Sequence, residues 1–305
     1  MKRLFSTAAV ILSAALTLTA CGGGDPLTSA SASPAASGSA PAAGGKVVVG
    51  SANFPENVLL AEIYAQALEA KGVQVEKKLN IGSREVLFDQ VKGGGLTILP
   101  EYIGSLLAFV DKTTTVKSKE DIVAGLKEKL PAELEVLEPA AAEDNNSLTV
   151  TKETATKDGL TTIEDLVKVA KGYTVGGPPE FQSRQETNFK DTYGLEFKEW
   201  KKTGDATADA IKDGTVQVGN VFTTDPKIVL NELVSLQDNK NAFAADNIAP
   251  LVNKAGVNDT VTTTLNAVSA KLDTPGLLAL MKRVAIDKDD AATVAKDWLT
   301  QNGLL

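Results

Sequence analysis

From residue 46 onward, short apolar runs alternate with stretches of helical period, and few folds accept that alternation. Lys46-Val47-Val48-Val49-Gly50 is an apolar run closed by glycine, the pattern of a buried strand. Over residues 56–70, Val58, Leu59, Glu62, Ile63, Gln66 and Ala67 recur at spacings of three and four, with the apolar members on one face. That spacing predicts a helix, which Gly72 ends. Residues 73–79 alternate apolar and polar and read as a second strand, 84–92 as a helix, 96–99 as a strand, and 103–110 and 119–130 as helices. The alternation restarts near Ser147, with strands at 148–150, 173–175, 195–200, 216–222 and 233–236 and helices at 163–170 and 206–212. After a crossing segment at 249–252 the chain turns mostly helical, at 261–272, 275–285 and 290–299. The pattern predicts α/β sheets covered on both faces. It divides into lobe 1 (46–145), lobe 2 (146–246) and a return to lobe 1 with C-terminal helices (247–305). In such proteins ligands sit between lobes, at the carboxyl ends of strands.

What the chain lacks narrows its chemistry. It has no histidine, which removes the commonest general base, Ser-His-Asp triads, Cys-His pairs and nearly all zinc sites. Carboxylate- or lysine-based catalysis stays open, but there is no Gly-x-Ser-x-Gly, no Walker-type phosphate loop and no EF-hand. Gly93-Gly94-Gly95 lacks the Lys-Ser/Thr ending of a phosphate cradle and reads as a turn. The expectation is a protein that is not an enzyme, with no cofactor and no metal. The formal net charge is −8, and Lys2 and Arg3 supply two of the positive charges, so the rest of the chain sums to −10. That balance argues against a nucleic-acid partner.

Lys2 and Arg3 precede an apolar run to Ala20, then Cys21, the only cysteine among 305 residues. A basic start, a short apolar core and small residues before the cut make a secretory signal over residues 1–20. The run is shorter than the roughly 20 residues that span a bilayer. Leu18-Thr19-Ala20-Cys21 resembles a lipobox, which implies cleavage before Cys21 and lipid attachment to its sulfur. Residues 21–45 hold that cysteine and a Gly/Ser/Ala/Pro tether. The expected location is extracytoplasmic, at the cell membrane. With one cysteine the chain has no internal disulfide and must be stabilised by packing.

Five local patterns fall in one order: Gly50-Ser51-Ala52-Asn53-Phe54-Pro55-Glu56, Pro100-Glu101-Tyr102-Ile103-Gly104-Ser105, Glu180-Phe181-Gln182-Ser183-Arg184, Phe222-Thr223-Thr224-Asp225 and Ala249-Pro250-Leu251-Val252. Together, over residues 46–305, they resemble the glycine betaine, choline and carnitine binding proteins of ABC importers, the osmoprotectant family. The second resembles that family's Pro-Glu-Tyr-Thr-Gly-Thr loop, the third its Glu-Phe-x-x-Arg loop and the fourth its Tyr-Ser/Thr-Thr-Asp turn. The resemblance implies a bilobal, type II periplasmic-binding-protein-like α/β fold with a hinge. It further implies a small osmolyte ligand delivered to a cognate permease and ATPase, and a monomer.

The resemblance also implies roles. Tyr102 matches a cage tyrosine, and Phe222 stands where a second is found. Ser105 matches a hydroxyl that bonds a ligand carboxylate, and Arg184 a cation that holds the same group. Asp144 matches a position whose backbone carbonyl faces the ligand cation. Asn146 and Asp246 stand where cage tyrosines are often found, and Ala52 where a carboxylate-binding lysine is. The carried-over cage thus has two aromatic walls. Aromatic faces stabilise a quaternary ammonium by up to about 2 kcal/mol each when desolvated. A different polar or aromatic solute on the same fold therefore stays open, as does a surface interaction lipoprotein without transport. Asp225 before Pro226 reads as a cap, and Trp200 and Trp298 as packing residues.

Overall fold

A computed structural model of the chain describes residues 46–82, 84–178 and 181–305. The expected signal, the Cys21 lipobox and the tether lie outside the described residues. Residues 45–305 form one compact unit.

Among the described residues, ten strands make two five-stranded sheets. In chain order they are β1 (Val47–Ala52), β2 (Val75–Gly82), β3 (Ile98–Tyr102), β4 (Leu134–Val136), β5 (Asn146–Thr151), β6 (Thr174–Gly177), β7 (Glu199–Lys202), β8 (Val218–Phe222), β9 (Leu233–Ser235) and β10 (Ile248–Asn253). The first sheet runs β2-β1-β3-β10-β4 and the second β7-β6-β8-β5-β9. Each has three parallel strands (β2, β1, β3 and β7, β6, β8) followed by one antiparallel strand that arrives from the other lobe. The registers match as well. Ile248 opens β10 opposite Tyr102, and Asn146 opens β5 opposite Phe222. Tyr102 and Phe222 therefore hold equivalent places, each at the carboxyl end of a third parallel strand.

Four helices accompany the first sheet: α1 (Pro55–Ala70), α2 (Arg84–Lys92), α3 (Ile103–Val110) and α4 (Lys119–Lys129). Then α5 (Lys152–Asp158), α6 (Phe181–Tyr193), α7 (Thr207–Lys212) and α8 (Lys227–Leu230) belong to the second, and α9 (Asp259–Ser269), α10 (Thr274–Met281) and α11 (Ala291–Gln301) close the chain. Pro55 at the first helical position suits the start of α1, since its missing N–H has no partner there anyway. The helix is buried almost all round, between the sheet and helices α9 and α11. Leu59, Ile63, Tyr64, Leu265 and Trp298 cover one face of the first sheet, and Leu87, Leu106, Ile122 and Leu251 the other. Leu148, Val175, Phe189 and Val218 share the main core of the second sheet, and Ile211, Val216 and Val221 a smaller one.

Some sequence expectations shift. Residues 163–168 form a 3-10 helix, and the strand expected at 195–200 begins at Glu199. Gly194, at φ +70°, ends α6, and Leu195 dives into the core. The α6 helix starts inside the pattern the resemblance gave as a loop and continues over residues to which the sequence assigned no element, and α5 and β4 carry no strong period. The Gly93–Gly95 turn is as expected, with Gly94 at φ +75°.

The chain passes between the sheets twice, at residues 143–145 and 245–247. The two crossings pair with each other. Glu143 bridges Asn247 in antiparallel fashion, Asp144 N–H donates to Asp246 O at 3.2 Å, and Asp246 N–H donates to Asn145 Oδ1 at 2.6 Å.

Candidate functional site

The loop after β1 and the loop after β3 are tied by one side chain. Asn57 Oδ1 accepts from Ala52 N–H at 2.7 Å, and its Nδ2 donates to Pro100 O at 2.9 Å. This fixes Phe54 beside Tyr102, ring centroids 6.2 Å apart. Tyr102 is only 7% exposed, and its hydroxyl donates to Glu56 Oε1 at 2.8 Å. Burial, and secondly the Glu56 charge, push the Tyr102 phenol well above its ordinary range. Glu101 is neutralised by a two-pronged ion pair, Arg84 Nε to Oε1 at 2.9 Å and Nη2 to Oε2 at 2.8 Å.

Both crossings contribute carboxylates. Ser105 N–H donates to Asp246 Oδ1 at 2.9 Å and its hydroxyl to Oδ2 at 2.5 Å. Asp246 thus caps the first turn of α3 from another segment of chain. The family resemblance implies a ligand carboxylate as partner of the Ser105 hydroxyl; in this structure the hydroxyl donates to Asp246. Gly104 is required at this junction, because a Cβ there would meet Ala245 O at 2.4 Å. Thr224 Oγ1, from the second lobe, donates to Asp144 Oδ1 at 2.7 Å. Burial raises the Asp144 carboxyl to about 7, helped by the nearby Glu56 charge. Burial also raises Asp246, to about 6, against the Ser105 hydrogen bonds and the Arg84 charge. Glu56, 5% exposed, is raised by burial, while Thr224 and Tyr102 oppose the shift.

Two adjoining cavities lie between the lobes. One, of about 410 Å³, is lined by Phe54, Arg84, Tyr102, Ser105, Asp144, Phe222 and Asp246, among others. The other, of about 390 Å³, is lined by Ser105, Lys117, Asn146, Arg184, Asn188 and Asp246, among others. All seven residues singled out from the sequence line one or both, and Ser105 and Asp246 line both. The site-side places differ. Phe222 stands 50% exposed, and Arg184 is exposed on α6. Lys117 Nζ crosses between the lobes, donating to Asn188 Oδ1 at 2.8 Å and to Ala242 O at 2.6 Å. Desolvation lowers its pKa. The first cavity is therefore acidic and aromatic, the second partly cationic.

Phe54, Glu56, Arg84 and Lys117 were not singled out as site residues. Phe54 and Glu56 stand inside the Gly50–Glu56 pattern, which was signal enough. Arg84 and Lys117 carry no local signal. Asp225 behaves as a cap, its Oδ1 accepting from Lys227 N–H at 2.8 Å. Trp200 packs against Phe181, Phe189 and Phe197, and Trp298 is buried in the first core. The side-chain roles of Ala52 end at lining the first cavity, without the lysine ammonium of the family pattern.

The family model described as the substrate binding domain of ABC-type glycine betaine transport systems matches residues 45–301. The glycine betaine-binding protein YehZ of Escherichia coli (strain K12) is 28% identical over 277 residues, covering 84% of this chain and 90% of that protein. A glycine-betaine-binding protein of Pseudomonas aeruginosa is 27% identical over 277 residues, with 84% and 88% covered. In fold, the chain is similar to a crystal structure described as a glycine betaine/carnitine/choline ABC transporter, with a TM-score of 0.79 at 20% identity, over 85% of this chain and 99% of that one.

Proposed function

The chain belongs to the family of substrate-binding domains of ABC-type glycine betaine transport systems, and from that membership we propose how this member holds its solute. It is the extracytoplasmic solute-binding component of an ABC importer of osmoprotectant type. Its ligand is a small osmolyte of the glycine betaine or choline kind, taken up between the lobes and passed to a permease. Tyr102 and Phe222, from equivalent places in the two sheets, flank the cationic head. Asp144 and Asp246 supply negative charge beneath it. Arg184 and Lys117 face the opposite end, where a carboxylate sits if the ligand has one. Contact with both lobes lets the ligand stabilise a closed state. Cys21 carries the lipid that keeps the monomeric protein at the membrane.

One observation carries this reading: residues scattered from Tyr102 to Asp246 line two adjoining cavities that share Ser105 and Asp246. The test is a thermal-shift screen of residues 45–305 with betaine, choline, carnitine, proline betaine, ectoine, polyols and aromatic solutes. A ligand at 100 times its dissociation constant adds about 2.7 kcal/mol of stability. Stabilisation by a betaine- or choline-like compound supports the proposal. A response only to another solute replaces the ligand class, and silence across the panel favours a surface interaction protein.

A further inference from the structure

We infer that the cationic head of the ligand carries N–H donors, so that the cleft favours a protonated amine or amidinium over a fully alkylated ammonium. The inference rests on the solute-binding reading above, keeps the importer component and the site between the lobes, and replaces the fully alkylated head of the ligand with one that retains N–H.

A tetraalkylammonium has no hydrogen to donate, so it is best held by aromatic faces. Here the aromatic lining is Phe54, Tyr102 and Phe222 in the first cavity and Phe243 in the second. Tyr102 is almost wholly buried, with its hydroxyl turned onto Glu56. Phe54 and Phe222 are 39% and 50% exposed. The remaining positions of the expected cage are the polar Asn146 and Asp246.

Acceptors, by contrast, are plentiful and underused. Asp144 lines the first cavity, and among the described residues its carboxylate takes side-chain hydrogen bonds only from Thr224. An ionised carboxylate offers about four lone-pair directions, and the side chain and main chain of Thr224 occupy only part of them. Asp246 lines both cavities, and Ser105 fills only part of its capacity. Arg84, the cation nearest the first cavity, is engaged by Glu101. A desolvated carboxylate without donors is unfavourable, and an N–H cation relieves this with charge-assisted bonds. A trimethylammonium of similar size covers the same oxygens with methyl groups and leaves them unpaired. Sites built to hydrogen-bond a ligand discriminate strongly against the analogue that lacks the donor.

The experiment is calorimetric titration of the purified protein with two methylation series. One runs from glycine through sarcosine and dimethylglycine to glycine betaine. The other runs from ethanolamine through its mono- and dimethyl forms to choline. Each series keeps its skeleton and charge while N–H donors are removed one by one. The expected result is a loss of affinity of about tenfold or more at the last methylation in at least one series. Affinity that climbs to the quaternary compound in both series overturns the inference and leaves the osmoprotectant-importer reading standing. Silence in both series overturns it too, and the solute panel above then decides the importer reading separately. Asp144→Asn, which keeps the Thr224 contact, should shrink the preference for the dimethyl over the quaternary form. A preference that survives unchanged in a folded Asp144→Asn protein overturns the assignment of acceptors to this cleft.

Discussion

Tyr102 and Phe222 occupy the same place in two sheets of the same topology, yet they meet opposite environments. Tyr102 is sealed by Phe54, anchored to Glu56 and followed by a helix whose first turn is capped by Asp246. Phe222 ends its strand half exposed, opposite the exposed Asn146. Equal topology fixes where a side chain arrives, and the neighbouring segments decide whether it becomes part of the core or a movable wall. On the proposed reading, the first lobe offers a preorganised floor and the second a more open edge.

The harshest way to break this comparison is to remove the floor. Tyr102→Ala deletes a buried aromatic ring and should cost about 3–5 kcal/mol of stability, with ligand binding lost. Phe222→Ala should weaken binding yet leave the melting temperature nearly unchanged. Thermal melts and titrations of the two variants settle the contrast. Equal losses of stability would mean that the two places are not different in kind.

At the open edge, Arg184→Ala should weaken a carboxylate-bearing ligand by about 2 kcal/mol, the worth of a charge-assisted hydrogen bond. Choline, which has no carboxylate, should bind this variant as it binds the parent protein. An equal loss for both ligands would remove Arg184 from carboxylate recognition and leave it a general contact.

Proton linkage sharpens the comparison further. With no histidine in the chain, titration between pH 5 and 7 falls to raised carboxyls such as Asp144, at about 7, and Asp246, at about 6. Each holds its proton in the folded state at pH values where the unfolded chain has released it. Stability therefore falls as pH rises from about 4 toward 7, by roughly 1 kcal/mol per unit of pH for each such group, and levels off above. A cation bound beside these groups favours their ionised forms, so its affinity rises over the same window. Melting temperature and affinity should move in opposite directions between pH 5 and 7, and Asp144→Asn should flatten both. Parallel movement would place the titrating groups outside the cleft.

The gentlest test is Lys117→Met. It removes the bonds to Asn188 and Ala242 that join the lobes, and should cost less than about 1 kcal/mol, because the ammonium is partly solvated. A large loss would show that the edge is held more firmly than Phe222 suggests.

Much of the fold was legible because its buried elements carry their period in the residues themselves. Val47–Ala52, Arg84–Lys92 and Ile103–Val110 emerge from local pattern almost residue for residue. The helix Phe181–Tyr193 did not, since Phe181, Phe189 and Tyr193 are its only buried residues and its polar start resembles a loop. Lys152–Asp158 buries Ala155 alone and is defined instead by its ends, the Thr151 hydroxyl accepting from Thr154 N–H and Gly159 at φ +64°. Within the site, Tyr102 and Arg184 stand in short patterns that locate them. Arg84 joins only through its ion pair with Glu101, and Lys117 only through a lobe more than 70 residues away in sequence. Contacts of that kind are set by topology, which no local period encodes. Asp246 shows the same limit from the other side. The sequence places it near the ligand, but its hold on the start of α3 is visible only in three dimensions.

The paired crossings at 143–145 and 245–247 have a mechanical consequence. In a door, points on the axis stay put while the far edge sweeps through space. Asp144 and Asp246 ride on the axle of this molecule, whereas Phe222 and Arg184 are carried by the swinging leaf. If the proposed reading holds, a cationic head meets Asp144 and Asp246 at a nearly stationary post. On the proposed reading, the acidic pair keeps its place as the lobes turn, and the Phe222 ring and the Arg184 cation arrive with the leaf.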